Sequence, residues 1–341
     1  MILLKLNKVV GMRQFILTLE VITPMFIAGA DGKTPDDIVR PPSIKGALRF
    51  WWRAAHGFDP LLKQNEGEIF GQAGENTCKS SFYLYVQQGD TRPYVCRDPL
   101  PRHSYKIKKY TLNILDYLAY GAFPGRSYIK PGFTFQLNVK IKNGLRAAGV
   151  LEAWQYFCRF GALGARSRNG FGSFTVKNAE GDLNDEQKEA LMALPGASLL
   201  AAYQNHRGFP GFSAFCREAR LFKTRQNYDT WDACLAELGH AYRNSRLSLE
   251  PPHNYNLRQY LGAPLNKQPQ SKLDRHAKPY FLRLHKQKGK YVGFILYLPS
   301  RYCVGRQDER PQLDLNKEDQ AFIWVCRQMN EALARYLEVI Y

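Results

Sequence analysis

Apolar and polar residues alternate in two stretches that predict β-strands, at positions 13–22 and 134–141. Both are rich in β-branched and aromatic residues, which suit the pleated surface of a sheet. Shorter apolar runs predict further strands at 81–87 and 173–177. Apolar residues recur at helical spacing over 145–160 and 317–339, so these segments are predicted to be amphipathic helices.

Another helical pattern begins after Pro41 and Pro42, which hold the incoming chain extended. We predict that Ser43 caps this helix, since its hydroxyl can accept from a free N–H group of the first turn. At about 100° per residue, one apolar face is formed by Ile44, Leu48, Trp51 and Ala55. A second arc carries Lys45, Arg49, Trp52, Arg53 and His56. One side of the helix therefore faces a core, and the other is basic and aromatic.

The first 180 residues are predicted to run strand, helix, strand, strand, helix, strand, the split β-α-β arrangement of ferredoxin-like and RRM domains. An acidic, small-residue stretch at 181–196 predicts a linker between domains at 1–180 and 197–341. The second half repeats this order weakly, with strands predicted at 197–203, 279–285 and 291–298 and helices at 212–220, 228–242 and 317–339. Irregular segments are predicted at 88–128 and 244–278. The predicted fold class is α+β, with two ferredoxin-like (RRM-like) halves, the second degenerate, and irregular insertions.

A glycine-rich loop lies between the second helix and the fourth strand of the first half, Gly161-Ala-Leu-Gly-Ala-Arg-Ser-Arg-Asn-Gly-Phe-Gly172. Glycines let a ligand approach the backbone closely, and Arg166, Arg168 and Asn169 suit a phosphate backbone. Phe171 can stack a base. The loop lacks the G-K-[ST] of a P-loop and follows a helix instead of opening one. We predict that the loop and the basic helix face form two walls of one RNA groove, although a plain helix-to-strand turn would also explain the glycines.

The composition of the chain indicates a polyanionic partner. The 341 residues carry 48 Lys and Arg against 30 Asp and Glu, a formal net charge of +18. Neutralising phosphates releases counterions and supplies most non-specific affinity for nucleic acid. No segment has the roughly 18 uninterrupted apolar residues of a spanning helix, and residues 1–10 lack a signal-peptide cleavage site. The 7 cysteines include no C-x-x-C pair, so we predict a reducing cytoplasm, no metal site and no cofactor.

Three segments carry a resemblance to a known family. They are Thr23-Pro-Met-Phe-Ile-Ala-Gly-Ala-Asp31, the run Arg40-Pro-Pro-Ser-Ile-Lys-Gly-Ala-Leu-Arg-Phe-Trp-Trp-Arg53 and the glycine-rich loop. Together they resemble the RAMP superfamily of CRISPR-associated proteins, and the second run is similar to a subunit of the type III-B (Cmr) effector complex. A weaker match at Arg275-His-Ala-Lys-Pro279 departs from the family's basic-small-Ser-Pro element, since Lys278 stands where a serine is expected.

The resemblance implies a subunit that binds CRISPR guide RNA and captured single-stranded target RNA beside other RAMP subunits, without being the nuclease. The residues that match the family's motifs, and so become RNA-binding candidates, are Lys45, Arg49, Arg53, Arg166, Arg168 and Asn169. Arg40 and Trp52 are either binding or structural. Such a subunit needs sequence-independent phosphate contacts, because base pairing carries the specificity.

Two other functions stay open. Some RAMP relatives are metal-independent endoribonucleases that process CRISPR RNA with a histidine as general acid or base. His56, on the basic helix face, is the one histidine we nominate for that role, although no second titrating group is evident beside it. The second alternative is a structural scaffold subunit whose charge only assists assembly.

Overall fold

The computed structural model describes residues 12–27, 39–74, 77–107, 110–142, 146–251, 254–262, 273, 275–302 and 314–341. The N-terminal segment 1–10, residues 28–31 of the first family-like run, and residues 252–253, 263–272 and 274 of the irregular segment predicted at 244–278 lie outside these residues. In chain order the strands and helices are β1 (Arg13–Val21), α1 (Pro41–Ala55), α2 (Leu62–Phe70), β2 (Phe82–Gln88), β3 (Val95–Cys96), β4 (Ser104–Ile107), β5 (Tyr110–Asn113), α3 (Ile114–Ala119), β6 (Tyr128–Ile129), β7 (Thr134–Ile141), α4 (Ala147–Phe160), β8 (Phe174–Gly181), α5 (Asp185–Met192), α6 (Ala197–Ala201), β9 (Arg220–Lys223), α7 (Trp231–Leu247), β10 (Tyr280–Gln287), β11 (Lys290–Tyr297), α8 (Leu315–Leu333) and β12 (Glu338–Val339).

The first sheet is antiparallel, with its strands in the order β2-β7-β1-β8. Alternation along β1 buries Phe15, Leu17 and Leu19 beneath α1 and α4, which pack together on that face. The first helix begins differently from the prediction: Arg40 is its N-cap residue, no side chain caps it, and Ser43 is already inside the first turn. Pro41 needs no such partner, because proline has no N–H group.

The second sheet repeats this connectivity, with its strands in the order β10-β11-β9-β12 and with α7 and α8 as its helices. Its first strand is β9 and not the predicted strand at 197–203, where the chain forms the short helix α6. Alanine and leucine dominate that segment, and both favour helix. The predicted helix at 212–220 is also wrong, since those residues form turns and bends that lead into β9.

The two halves share their hydrophobic cores. Phe281 and Phe294 of the second sheet pack into the cluster around α1 and α4, while Phe171 of the glycine-rich loop packs into the cluster around α7 and α8. Residues 181–196, the predicted linker, include α5, which Asn184 caps and whose Leu191 is buried. Two of the acidic residues that suggested a linker, Asp185 and Glu186, lie in the first turn of α5, where they complement the helix dipole. The division into domains at 1–180 and 197–341 stays a prediction.

An ion-pair cluster around the buried Glu20 also joins the two sheets. Glu20 of β1 contacts Lys286 of β10 at 3.0 Å and Lys177 of β8 at 3.1 Å. Burial alone would raise the pKa of Glu20, but hydrogen bonds from the two lysines hold it below its usual value. The carboxylate is therefore charged at neutral pH and fixes β10 against the edge of the first sheet.

Candidate nucleic-acid interface

The glycine-rich loop, residues 161–172, is fastened to the chain that leaves β1. Leu163 N–H donates to the Gly172 carbonyl at 3.0 Å, Gly172 N–H donates to Pro24 at 2.9 Å, and Ala165 N–H donates to Phe26 at 2.8 Å. A Cβ on Gly164 would overlap the carbonyl oxygen of Phe26. These glycines therefore admit close contact between protein backbones, whereas the sequence predicted that they admit a ligand.

Arg166 lies exposed in this loop with a φ of 60°, an unusual backbone angle for a residue other than glycine. Its guanidinium lies against Gly121. Partial burial and the nearby charge of Arg126 lower the pKa of Arg166. Since arginine titrates far above neutrality, the side chain still presents a positive charge to solvent.

Arg168 and Asn169 point toward the second half instead. The Nη1 group of Arg168 donates to the Lys278 carbonyl at 2.5 Å, and its guanidinium lies 4.4 Å from the ring centre of Phe281. Burial lowers the pKa of Arg168 to about 10, so it remains charged at neutral pH. Asn169 Nδ2 donates to the Leu118 carbonyl at 2.6 Å. Both residues thus hold the loop in place, and a phosphate can reach only what remains exposed of Arg168.

Phe171, which was predicted to stack a base, and Trp52, which was predicted either to bind RNA or to be structural, are both buried. Phe171 has no exposed surface, and its ring packs edge-on against Phe26 at 5.1 Å. Trp52 is 2% exposed and packs between His56 and Phe70. Neither ring offers a face to a base in this structure. Trp52 belongs to the core, as Trp51 does, and does not join the cations of α1.

The cations of α1 face α2 and not the loop. Arg49 contacts Glu66 at 3.1 Å, and Arg53 contacts the same carboxylate at 3.8 Å. Lys45 lies 5.5 Å from the ring of Phe82, and burial together with Arg49 and Lys142 lowers its pKa. At helical spacing these three cations lie on other sides of α1 than Ser43 and Ala47, which approach the loop. The predicted groove between them and the loop arginines is therefore not formed.

Arg40 is the predicted α1-region residue that does border the loop. With Ser43 and Ala47 it lines a cavity of about 430 Å³, which Gly164 and Ser167 of the loop close from the other side. Arg126 adds a second cation to this cavity. The cavity thus combines the start of α1 with the loop, and its charge comes from residues outside the helical stripe.

A larger cavity, of about 750 Å³, lies between the loop and the second half. It is lined by Tyr117, Leu118, Tyr120, Arg166, Ser167, Arg168, Asn169, Tyr242, Arg246, Leu261, Gly262, His276, Ala277 and Lys278. Four of these residues are Arg or Lys, and none is Asp or Glu. We name this space the cationic cavity. Ser167 borders both cavities, so the loop lies between them.

Lys278 gives the cationic cavity its most unusual group. Its Nζ atom is buried, lies 4.3 Å from the ring centre of Tyr242, and has no hydrogen-bond acceptor among the described residues. Burial, followed by the charges of Arg168, Arg246 and Arg166, lowers its pKa well below the ordinary value. The three guanidinium groups near this amine, with no carboxylate among the described lining residues, create a strongly positive potential. A bound anion would compensate that potential.

Arg166, Arg168 and Asn169 line this cavity and were predicted from the sequence to bind RNA. Arg246 and Lys278 also line it, but the sequence did not indicate that they lie beside the loop. Arg246 comes from α7, where its Nη1 group donates to the Tyr117 hydroxyl at 3.1 Å. Nothing in the pattern of α7 distinguishes it from a surface arginine. Lys278 did leave a signal, since it departs from the family's basic-small-Ser-Pro element.

His56 has a partner that the sequence did not indicate. Its Nε2 atom lies 2.7 Å from Oε2 of Glu152 on α4, and its ring stacks on Trp52 at 4.4 Å. A histidine that a carboxylate orients can act as a general acid or base. This pair, however, borders neither cavity and connects the end of α1 to α4.

Metal and membrane features can be assessed for the described part of the chain. No group of three or more His, Cys, Asp or Glu side chains there is arranged to hold a metal ion. No helix in that part is long and apolar enough to cross a membrane. The described cysteines form no disulfide, and all of them except Cys78 are buried, as is usual for cysteines that pack as small hydrophobic residues.

Comparisons with known proteins bear on the same regions. The RAMP superfamily model matches residues 18–175, which run from β1 through the glycine-rich loop. The Cmr1-2 subunit of the CRISPR system Cmr of Pyrococcus furiosus is 42% identical over 86 residues, which are 24% of this chain and 43% of the relative. The match therefore spans less than half of that relative's length.

Two solved structures show the same fold over nearly the whole chain. The crystal structure of apo Cmr1 from Pyrococcus furiosus matches with a TM-score of 0.53 at 17% identity, covering 96% of this chain and 97% of that one. A chain in the cryo-EM structure of the type III-B Cmr-beta bound to cognate target RNA matches with a TM-score of 0.56 at 12% identity, covering 95% and 100%. These findings show that residues 18–175 are similar to the RAMP superfamily and that the fold of the chain is similar to that of Cmr1.

Proposed function

We propose that this chain is a non-catalytic, RNA-binding subunit of a type III-B CRISPR RNA-guided effector complex. It holds the 3′ region of the guide RNA, captured target RNA, or both, and contacts other RAMP subunits. The similarity to Cmr1 supports the complex, and the repeated strand order of the two sheets supports two ferredoxin-like halves. The predicted cytoplasmic location stays a prediction.

The cationic cavity is the observation that carries the RNA-binding role. Arg166, Arg168, Arg246 and Lys278 converge on it from the loop, from α7 and from the segment before β10. Contacts of this kind recognise phosphates irrespective of base identity, as the binding of variable guides requires. Tyr117, Tyr120 and His276, which share the lining and are partly or fully exposed, offer surfaces against which bases or riboses can pack.

Removing charge from this cavity is expected to weaken RNA binding uniformly across sequences. Arg166→Gln combined with Arg246→Gln should reduce the affinity for single-stranded RNA at least about tenfold at roughly 0.15 M salt, because each charge-assisted contact contributes about 1.5 kcal/mol or more. The slope of log K against log salt should fall by about 0.7 for each phosphate that the variant no longer neutralises. Fluorescence anisotropy with labelled oligonucleotides of different sequence measures both quantities.

Arg327→Gln is the matched control, since it makes an arginine-to-glutamine change on the exposed side of α8. Its affinity should stay within about twofold of the original chain, as expected for a remote surface charge. If the original chain binds RNA no better than a neutral protein, the scaffold function replaces the proposed one. If the cavity variant loses affinity for some sequences only, the cavity reads bases and does not merely hold phosphates.

The contact between His56 and Glu152 is the one observation that favours the endoribonuclease alternative. We expect no site-specific cleavage when the full chain is incubated with CRISPR repeat RNA in EDTA, because the pair lies outside both cavities. The His56→Ala variant should therefore behave as the original chain does on denaturing gels. Cleavage that disappears in His56→Ala would instead establish the nuclease and exclude a purely binding role.

A further inference from the structure

The face of the first sheet opposite α1 and α4 carries an exposed pair of aromatic rings. Tyr83 and Tyr85 alternate with the half-buried Leu84 along β2, so both side chains lie on this outer face. They are 46% and 52% exposed, their ring centres are 6.4 Å apart, and the ring planes are inclined by 30°. Neither tyrosine lines the cavities on the two sides of the glycine-rich loop.

Basic and hydrogen-bonding side chains lie beside these rings on β7, the strand next to β2. In β7, Lys140 is paired with Tyr83 and Asn138 with Tyr85, which places all four side chains on the same face. Just beyond β7, the ammonium of Lys142 lies 4.1 Å from the ring centre of Tyr83 and donates to the Ser80 carbonyl at 2.9 Å. Neither β2 nor β7 contains an acidic residue. The part of this face that β2 and β7 form is therefore aromatic, positive and rich in hydrogen-bonding groups.

We propose that this open face is a second binding surface for single-stranded RNA, on which successive bases stack against Tyr83 and Tyr85. Lys140 and Lys142 neutralise the adjoining phosphates, and Asn138 contributes hydrogen bonds to base edges or riboses. An open antiparallel sheet with exposed aromatic residues flanked by lysines is a surface on which unpaired bases stack without regard to sequence. A protein partner is the competing occupant, but β2 and β7 present neither acidic nor aliphatic side chains on this face, which favours a polyanion.

This surface shares its ligand with the proposed function but uses different residues, so each proposal can fail alone. The test replaces both tyrosines by threonine, which removes the rings but retains a strong preference for β-structure. The Tyr83→Thr, Tyr85→Thr double variant should lose at least about fivefold in affinity for single-stranded RNA in anisotropy titrations. The Tyr83→Phe, Tyr85→Phe variant keeps both rings and should bind within about twofold of the original chain.

The salt dependence separates the two surfaces. Loss of stacking leaves every phosphate neutralised, so the slope of log K against log salt should be unchanged in the threonine variant, whereas it should fall in the cavity variant. Threonine variants that are folded by circular dichroism and bind RNA like the original chain would overturn the proposal. If they bind RNA normally but no longer join the other subunits of the complex, the face is a protein interface. If the original chain itself binds no RNA, the proposed function fails as well.

Discussion

Gly172→Ala is expected to destabilise the protein by about 3 kcal/mol or more, through backbone strain combined with a steric clash. Gly172 has a φ of 67°, which only glycine adopts without cost. An added Cβ would overlap the carbonyl oxygen of Leu163 and lie 2.8 Å from its carbon. Relief of this clash must separate Leu163 from Gly172 and break the hydrogen bond that closes the glycine-rich loop.

The same substitution is expected to reduce RNA binding, because Arg166 and Arg168 depend on the path of that loop. Thermal unfolding and anisotropy titrations of the same preparation measure the two effects. Gly46→Ala is the control: this glycine lies exposed inside α1, nothing approaches its Cβ position, and alanine should stabilise the helix by about 0.5–1 kcal/mol. A Gly172→Ala variant that unfolds and binds like the original chain would mean that the loop does not need this conformation.

The periodic spacing of apolar residues correctly predicted the strands and the helix that bury one face. The strands predicted at 13–22 and 134–141 are observed as β1 and β7, and the helix predicted at 145–160 is observed as α4. In each, the buried face repeats at the period of its secondary structure, so local sequence is sufficient. The prediction failed at 197–203, where a short apolar run fits helix and strand equally well.

The candidate site was less predictable, because a helical projection does not show what covers each face. Trp52 and Arg49 were assigned to an open side of α1, but α2 folds over that side and supplies Glu66 and Phe70. The partners of the loop arginines were hidden for a different reason. Arg246 and Lys278 lie about 80 and 110 positions further along the chain, and only the packing of the two halves brings them together.

Arg283→Ala is expected to cost about 3–5 kcal/mol of stability, since it removes a buried charged group on which other groups depend. Arg283 of β10 is 1% exposed. Its Nη2 group donates to the carbonyls of Phe174 and Cys158, at 2.5 and 3.2 Å, and its guanidinium lies 4.3 Å from the Phe174 ring centre. Alanine would leave both carbonyls without this donor and open a cavity between the two sheets, so the midpoint of thermal or urea unfolding should fall sharply.

Arg283→Met is the informative control, because it retains most of the volume and removes the charge. No carboxylate among the described residues pairs with Arg283, and burial lowers its pKa to about 9. Between that value and the ordinary pKa of arginine, the unfolded chain binds more protons than the folded chain, so this group makes stability rise with pH. Because Met keeps most of the volume, we expect the Met variant to lose less stability than the Ala variant.

We also expect the original chain to gain stability relative to the Met variant from pH 8 to pH 10.5, by up to about 1.4 kcal/mol per pH unit above the folded pKa. Urea unfolding at several pH values measures the difference, in which groups common to both proteins cancel. A constant difference would mean that Arg283 stays charged throughout, and equal losses for Ala and Met would assign its contribution to hydrogen bonding and not to volume.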